Sequence, residues 1–132
     1  MDCIFCKIVS GEASSYKIYE DKDTFAFLSI ANDYYGHTLI VPKKHYPDII
    51  NCPAKVSAAL IKTAQKIAKH YITLGFDGVN IFINNGAAAD QLVFHLHVHI
   101  VPRKKDTLHK WDGETKRDFI KEQKFFELTP QS

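Results

Sequence analysis

The segment FHLHVHIVP, residues 94–102, alternates histidine with aliphatic residues and ends on a proline. This alternation constrains the fold more than any other feature of the sequence. Successive side chains of a β-strand point to opposite faces of its sheet, so a period of two is typical of a strand. We therefore predict a strand over residues 93–102, with an apolar face packed on another element and a histidine face lining a cleft.

The three histidines of this segment are expected to share one face: His95, His97 and His99. The apolar residues between them are expected to share the other: Phe94, Leu96, Val98 and Ile100. The histidines could be polar residues of a sheet surface, ligands of a zinc or iron ion, or a nucleophile with acid–base partners. The first interpretation is the weakest, because three half-buried imidazoles need three sets of hydrogen-bond partners.

The remaining pattern predicts an α+β fold with a mainly antiparallel five-stranded sheet and one long helix. Alternating segments predict four further strands, over residues 16–21, 24–30, 37–42 and 78–86. Apolar residues recur at helical spacing between residues 53 and 75: Val56, Leu60, Ala64, Ile67 and Tyr71. A second, short helix is expected around residues 115–126, in a tail that also contains Trp111.

The composition indicates a globular protein with a single domain. A chain of 132 residues, 45% hydrophobic and 24% charged, is large enough for one domain with its own core. A net charge of +2 is too small to indicate a nucleic-acid partner. The amino terminus does not resemble a signal peptide and the apolar runs are short, so we expect a cytoplasmic protein with no membrane partner.

The three cysteines do not suggest a secreted disulfide framework. Cys3 and Cys6 form a C-x-x-C pair, which in a reducing compartment indicates metal binding or redox chemistry. Nothing around the pair predicts the βαβ context of a thioredoxin-like redox motif, so metal binding is favoured. Cys52 stands alone and is expected to serve only as a small side chain.

Five blocks of the sequence together resemble the histidine triad (HIT) superfamily, in the bacterial-type form of its Hint branch. In chain order they are CIFCKIVSGE, YEDKDTFAFLSI, GHTLIVPKKH, NNGAAADQ and FHLHVHIVPR. The resemblance covers about residues 3–103. We therefore expect a HIT domain over residues 1–105. The aromatic residues of the tail indicate that a C-terminal extension, residues 106–132, packs on the domain or on a dimer partner.

The resemblance implies a homodimer that binds purine nucleotides. Members hydrolyse nucleoside phosphoramidates, acyl-adenylates or dinucleoside polyphosphates through a covalent nucleotidyl-histidine, and the chemistry requires no metal. The middle histidine, His97, would attack phosphorus while the carbonyl of His95 accepts its other ring proton. His99 would contact the phosphate or leaving group, and His37 would complete a relay behind the nucleophile.

The resemblance also implies the surrounding contacts. Asn84 and Gln91 would contact the phosphate and the leaving group. Four apolar residues would line the base and ribose pocket: Ile4, Phe5, Phe27 and Ile30. A structural zinc ion would be held by two thiolates and two imidazoles: Cys3, Cys6, His45 and His95.

Three residues at substrate-contacting positions depart from the family pattern. Ser29 stands where an acid usually binds the ribose hydroxyls, Asp90 stands in place of a glycine, and Leu92 supplies no hydroxyl to a leaving group. These departures keep a second hypothesis open, that of a nucleotide-binding or protein-interaction member with weak catalysis.

Overall fold

Five antiparallel strands form one sheet in the computed structural model, which describes residues 2–105 and 116–128. The strands are β1 (Lys17–Glu20), β2 (Thr24–Leu28), β3 (Thr38–Pro42), β4 (Gly78–Phe82) and β5 (Val98–Arg103). Their order across the sheet is β1-β2-β3-β5-β4, and every neighbouring pair is antiparallel. The predicted α+β class with a five-stranded antiparallel sheet is confirmed.

Three helices accompany the sheet in the described ranges: α1 (Ile4–Ser10), α2 (Ala54–Thr73) and α3 (Phe119–Phe126). The long helix was predicted within one or two residues, because its buried residues Leu60, Ala64, Ile67 and Tyr71 follow the helical period. None of these helices combines the length and apolar character that crossing a bilayer requires.

Helix α1 was not predicted. It has no apolar stripe of sufficient length, and it begins where the Sγ atom of Cys3 accepts a hydrogen bond from the Cys6 amide. Gly11, with a φ of 87°, ends it in the left-handed conformation that glycine adopts without steric cost. The helix brings Phe5 onto Phe27 of β2, with ring centroids 5.3 Å apart.

The strand predicted over residues 93–102 is wrong in its first half. The ladder between β3 and β5 begins at the pair Ile40 and Val98, so residues 93–97 lie upstream of the strand. There the amide of Leu96 donates to the carbonyl of Tyr46 instead of to a neighbouring strand. The alternation still sends Leu96 into the core, but Phe94, which was expected to pack beside it, is 49% exposed.

The core has two parts, one on each face of the sheet. On one face α2 covers the apolar side of the triad segment, and the cluster includes Leu96, Val98 and Ile100. On the other face α1 covers Phe25 and Phe27. Every residue of β2 and β3 is buried as a result.

Helix α3, close to the predicted range of 115–126, packs against the same body. Phe126 is fully buried and stacks with Phe76, with ring centroids 5.5 Å apart. The amide of Leu128 donates to the carbonyl of Ile18, 2.8 Å away. Trp111 lies outside the described residues.

Candidate active site and metal centre

A cavity of about 640 Å³ opens beside the triad segment, between α1, β2 and the loop that follows β2. This volume lies in the range of sites for small molecules. Nine of the predicted site residues line it: Ile4, Phe5, Phe27, Ser29, Ile30, His37, Leu92, His97 and His99. Asp90 lines it as well.

His97 is oriented by the backbone two residues before it. Its Nδ1 lies 2.8 Å from the carbonyl oxygen of His95, which can only accept a hydrogen bond. Nδ1 therefore carries the proton, and Nε2 carries a lone pair. Burial lowers the pKa of His97, against the opposing effect of the His95 carbonyl, and the nearby His37 lowers it further. The neutral ring is thus the prevailing form near neutral pH, as a nucleophile requires.

His99 lies next to His97, with ring centroids 4.8 Å apart. Its ring stacks on Phe82 of β4, and its Nδ1 lies 2.9 Å from Nε2 of His37. Burial, with the nearby His97 and His37, lowers the pKa of His99 to about 3. Among the buried side-chain polar atoms of the described residues, Nε2 of His99 alone lacks a hydrogen-bond partner. Such atoms are rare in folded proteins and call for a functional explanation.

His37 reaches this site from the start of β3. It contacts His99 directly. The family resemblance implied only a relay behind the nucleophile and named no contact of His37. On its other side, Nδ1 of His37 lies 3.0 Å from Oδ2 of Asp33. Asp33 was not singled out from the sequence. It sits in the loop between β2 and β3, and no motif of the chain marks it.

Asn84 and Gln91 are not among the residues that line the cavity. The Gln91 amide donates to the carbonyls of Pro47 and Val93 and accepts from the amide of Gly86. It therefore holds together the loop between β4 and the triad. Asn84 reaches the carbonyl of Asp90 across 3.5 Å. Their contacts with a phosphate or leaving group stay predictions.

Of the three residues that depart from the family pattern, Asp90 has the most unusual backbone conformation. Its φ of 69° is left-handed, a conformation that glycine adopts at less cost. Leu92 is 88% exposed at the cavity wall. The Ser29 hydroxyl accepts a hydrogen bond from the amide of Ala31.

A second cluster of side chains, which could bind a metal ion, includes His95. His95 therefore serves both sites, because its carbonyl also orients His97. The ligand atoms of Cys3, Cys6, His45 and His95 all lie within 4.8 Å of one another. Nδ1 of His95 is 3.4 Å from the Sγ of Cys3, 3.5 Å from the Sγ of Cys6 and 3.2 Å from Nδ1 of His45. Ligands at ordinary Zn–S and Zn–N distances are separated by roughly 3.3–3.8 Å in a tetrahedral site.

The hydrogen bonding of His95 fits the same ion. Its Nε2 lies 2.9 Å from the carbonyl oxygen of Pro42, so this nitrogen carries the ring proton. Nδ1 is then left with a lone pair directed at the cluster, as in histidines that ligate zinc. Two thiolates and two imidazoles form a donor set typical of structural zinc.

Comparison with known proteins agrees with this geometry. The family model described as HIT domain matches residues 10–106. The adenylylsulfatase HINT3 of Arabidopsis thaliana is 42% identical over 118 residues; the match covers 88% of this chain and 59% of that protein. The chain therefore spans less than two thirds of the Arabidopsis protein.

Two further relatives bear on the site. The adenosine 5'-monophosphoramidase HNT1 of Candida albicans is 36% identical over 109 residues, which is 79% of this chain and 72% of that protein. The crystal structure of a zinc-bound histidine triad family protein from Mycobacterium smegmatis superposes with a TM-score of 0.84 at 37% identity. That match covers 96% of this chain and 91% of the other.

Proposed function

Because this chain belongs to the histidine triad family, we propose that it is a hydrolase or transferase of nucleoside 5'-phosphates with His97 as its nucleophile. The observation that carries the proposal is the hydrogen bond from His97 Nδ1 to the His95 carbonyl. That bond leaves Nε2 as the nucleophilic atom, on a residue that lines the cavity.

The proposed reaction has two steps. Nε2 of His97 attacks the phosphorus and displaces the leaving group, which forms a nucleotidyl-histidine. Water then attacks the same phosphorus and releases a nucleoside monophosphate and free His97. Splitting one displacement into two lowers each barrier, and hydrogen-bond donors around the phosphoryl oxygens stabilise the spreading charge. We expect His99, whose ring centroid lies 4.8 Å from that of His97, to contact the phosphate or the leaving group.

The substrate class is a purine nucleotide that carries a leaving group on its phosphate. A nucleoside phosphoramidate, an acyl-adenylate and a dinucleoside polyphosphate all fit this description. The relatives that are named as an adenylylsulfatase and as an adenosine 5'-monophosphoramidase support it. The apolar wall formed by Ile4, Phe5 and Phe27 is suited to a purine base.

Mass spectrometry of enzyme quenched during turnover tests the proposal. We expect a nucleoside monophosphate adduct on His97 and no turnover by His97→Ala. A matched control is His70→Gln, because His70 does not line the cavity. Full activity in His97→Ala, without an adduct in the wild type, would contradict the proposal.

A second candidate is a nucleotide-binding member with weak catalysis. Asp90 favours it, because an acidic side chain in the cavity wall opposes an anionic substrate. Tight nucleotide binding, with turnover no faster than that of His97→Ala across a panel of phosphoramidates, acyl-adenylates and dinucleoside polyphosphates, would establish this alternative.

We propose that the cluster of Cys3, Cys6, His45 and His95 holds a structural zinc ion. The ion would tie the amino terminus to the triad segment and thereby fix the carbonyl that orients His97. Of the three triad histidines, only His95 joins a metal-ligating group in the described part of the chain. Phosphoramidase activity that survives loss of zinc would exclude a catalytic metal.

We also propose a homodimer that pairs through β4. This strand lies at the edge of the sheet, and its Ile81 and Phe82 are 46% and 39% exposed. Pairing of two such edges would continue the sheet and place each of these side chains beside the same strand of the partner. Sedimentation should give a dimer for the wild type and a monomer for Ile81→Asp, with Ile120→Asp as the control.

A further inference from the structure

A row of three side chains, Asp33, His37 and His99, ends at the cavity. The carboxylate oxygens of Asp33 lie 3.1 and 3.0 Å from Nδ1 of His37. Nε2 of His37 lies 2.9 Å from Nδ1 of His99, and Nε2 of His99 has no partner. We propose that Asp33 is a positioning residue that directs a proton through His37 and His99 to the departing group.

The acceptors and donors leave two arrangements of protons. An ionised carboxylate only accepts, so Nδ1 of His37 carries a proton. Nε2 of His37 then either accepts from Nδ1 of His99 or donates to it. In the donating arrangement His37 is a cation paired with Asp33, and the ring proton of His99 sits on Nε2. That atom is then a donor with no partner inside the protein.

The proposed transfer requires the donating arrangement, since only that arrangement leaves a proton on Nε2 of His99, the atom without a partner. The side chain of His37 is 6% exposed, whereas that of Asp33 is 37% exposed. The other groups that face the pair are the rings of Tyr34, His97 and His99 and the guanidinium of Arg117, 3.8 Å from Asp33. Asp33 is the one carboxylate in this set, and its oxygens accept the proton on Nδ1 of His37.

Asp33 itself is held as an anion. Partial burial acts to raise its pKa, but the hydrogen bond and charge of His37, the amide of Tyr34 and the charge of Arg117 lower it below its ordinary value. The proton that leaves toward the substrate is therefore the one on the histidines, and Asp33 remains ionised throughout.

The inference rests on the proposed function. Every proton is accounted for over the two steps of the proposed reaction. As His97 bonds to phosphorus, the leaving group departs with its bonding pair and takes the proton of His99 Nε2. His99 Nδ1 then takes the proton of His37 Nε2, which leaves His37 neutral. In the second step water gives a proton to His99 Nε2, and His99 Nδ1 returns its proton to His37.

The loop that carries Asp33 is fixed by the C-terminal segment. Arg117 donates to the carbonyls of Ser29 and Ala31, each 2.7 Å away. Glu122 accepts from the amide of Gly36, 2.9 Å away. Both ends of the loop are thus bonded to residues that lie beyond the matched family region.

The test compares two substrates with the same nucleoside in wild type and Asp33→Asn. An alkyl phosphoramidate must be protonated as it departs, whereas a p-nitrophenyl phosphate ester departs as a stable anion. In single turnovers we expect the rate of leaving-group release from the phosphoramidate to fall by about tenfold to a hundredfold, with release from the ester nearly unchanged. Asp23→Asn, which neutralises an exposed turn carboxylate, is the control and should leave both substrates unaffected.

An equal loss on both substrates, or no loss on either, would overturn the inference. Nitrogen NMR of the wild-type histidine rings provides a test that needs no variant. We expect protons on both nitrogens of His37 and on Nε2 of His99, and a proton on Nδ1 of His99 would overturn the inference. Absence of the His97 adduct in the wild type would instead mark failure of the proposed function, and the inference would fall with it.

Discussion

The guanidinium of Arg117 lies 2.7 Å from the carboxylate of Glu122, and the two side chains are 0% and 2% exposed. A second guanidinium nitrogen contacts the same carboxylate across 3.1 Å. The pair is also bonded to the backbone of the loop between β2 and β3. The C-terminal segment therefore stabilises the wall of the candidate active site.

Removing one partner of this ion pair should strongly destabilise the fold. Arg117→Met leaves the Glu122 carboxylate buried without its cation and leaves two backbone carbonyls without donors. We expect the free energy of unfolding to fall by about 3–5 kcal/mol, measured by urea denaturation. Lys121→Met, on the exposed face of α3, should change it by less than about 0.5 kcal/mol. Equal effects of the two substitutions would contradict the prediction.

Ser29→Asp should strengthen ribose binding. The family resemblance places an acid at this position, and a carboxylate accepts hydrogen bonds from ribose hydroxyls more strongly than a serine does. We expect KM for an adenosine phosphoramidate to fall about tenfold. A 2',3'-dideoxy analogue is the matched control and should gain nothing. If both nucleosides gained equally, the added carboxylate would not be contacting the ribose.

Asp90→Asn should tighten the binding of anionic nucleotides. The substitution removes one negative charge from the cavity wall and keeps a residue that tolerates a left-handed backbone. We expect Kd for a nucleoside monophosphate to fall about threefold at low salt, with the difference shrinking at high salt. Titration calorimetry at two ionic strengths checks this, with Glu12→Gln as a neutralised acid outside the cavity. A difference independent of salt would argue against repulsion by Asp90.

Removal of a zinc ligand should release the metal and destabilise the fold. Cys6→Ala leaves three of the four donors of the cluster. We expect elemental analysis to find about one zinc per chain in the wild type and little in the variant. The melting temperature should drop by roughly 5 °C or more. Cys52→Ala should keep its zinc, because Cys52 lies outside the cluster; zinc loss from both variants would refute the assignment.

The ion pair of Asp33 should weaken in acid. The pKa of Asp33 is lower in the folded protein than its ordinary value of 3.8, so its ionised form stabilises the fold above that value. This contribution is lost as the pH falls through the folded-state pKa. The difference in free energy of unfolding between wild type and Asp33→Asn should therefore hold down to about pH 5 and shrink from there toward about pH 2, measured by urea denaturation. A constant difference would show that the charge of Asp33 does not act on stability.

Local spacing was enough to predict the elements whose residues repeat with a period. It predicts helix α2, the presence of five strands and the burial of Leu96, Val98 and Ile100, but not where the triad strand begins. The cavity-lining histidines and the four members of the metal cluster could also be named in advance. These residues lie in short, recognisable blocks, and a strand's alternation fixes which way each side chain points.

Contacts between distant parts of the chain depend on tertiary packing and leave no local signal. His37 meets His99 across 62 positions, and Arg117 meets Ser29 across 88. The role of Asp33 depends on both contacts, and no local pattern marks it. The same holds for Gln91, whose amide donates to the carbonyl of Pro47, and for the first half of the predicted strand, where the amide of Leu96 donates to the carbonyl of Tyr46 in place of a ladder partner. Local spacing sets which face a side chain occupies, whereas the packing of the sheet, its helices and its loops sets which side chains meet.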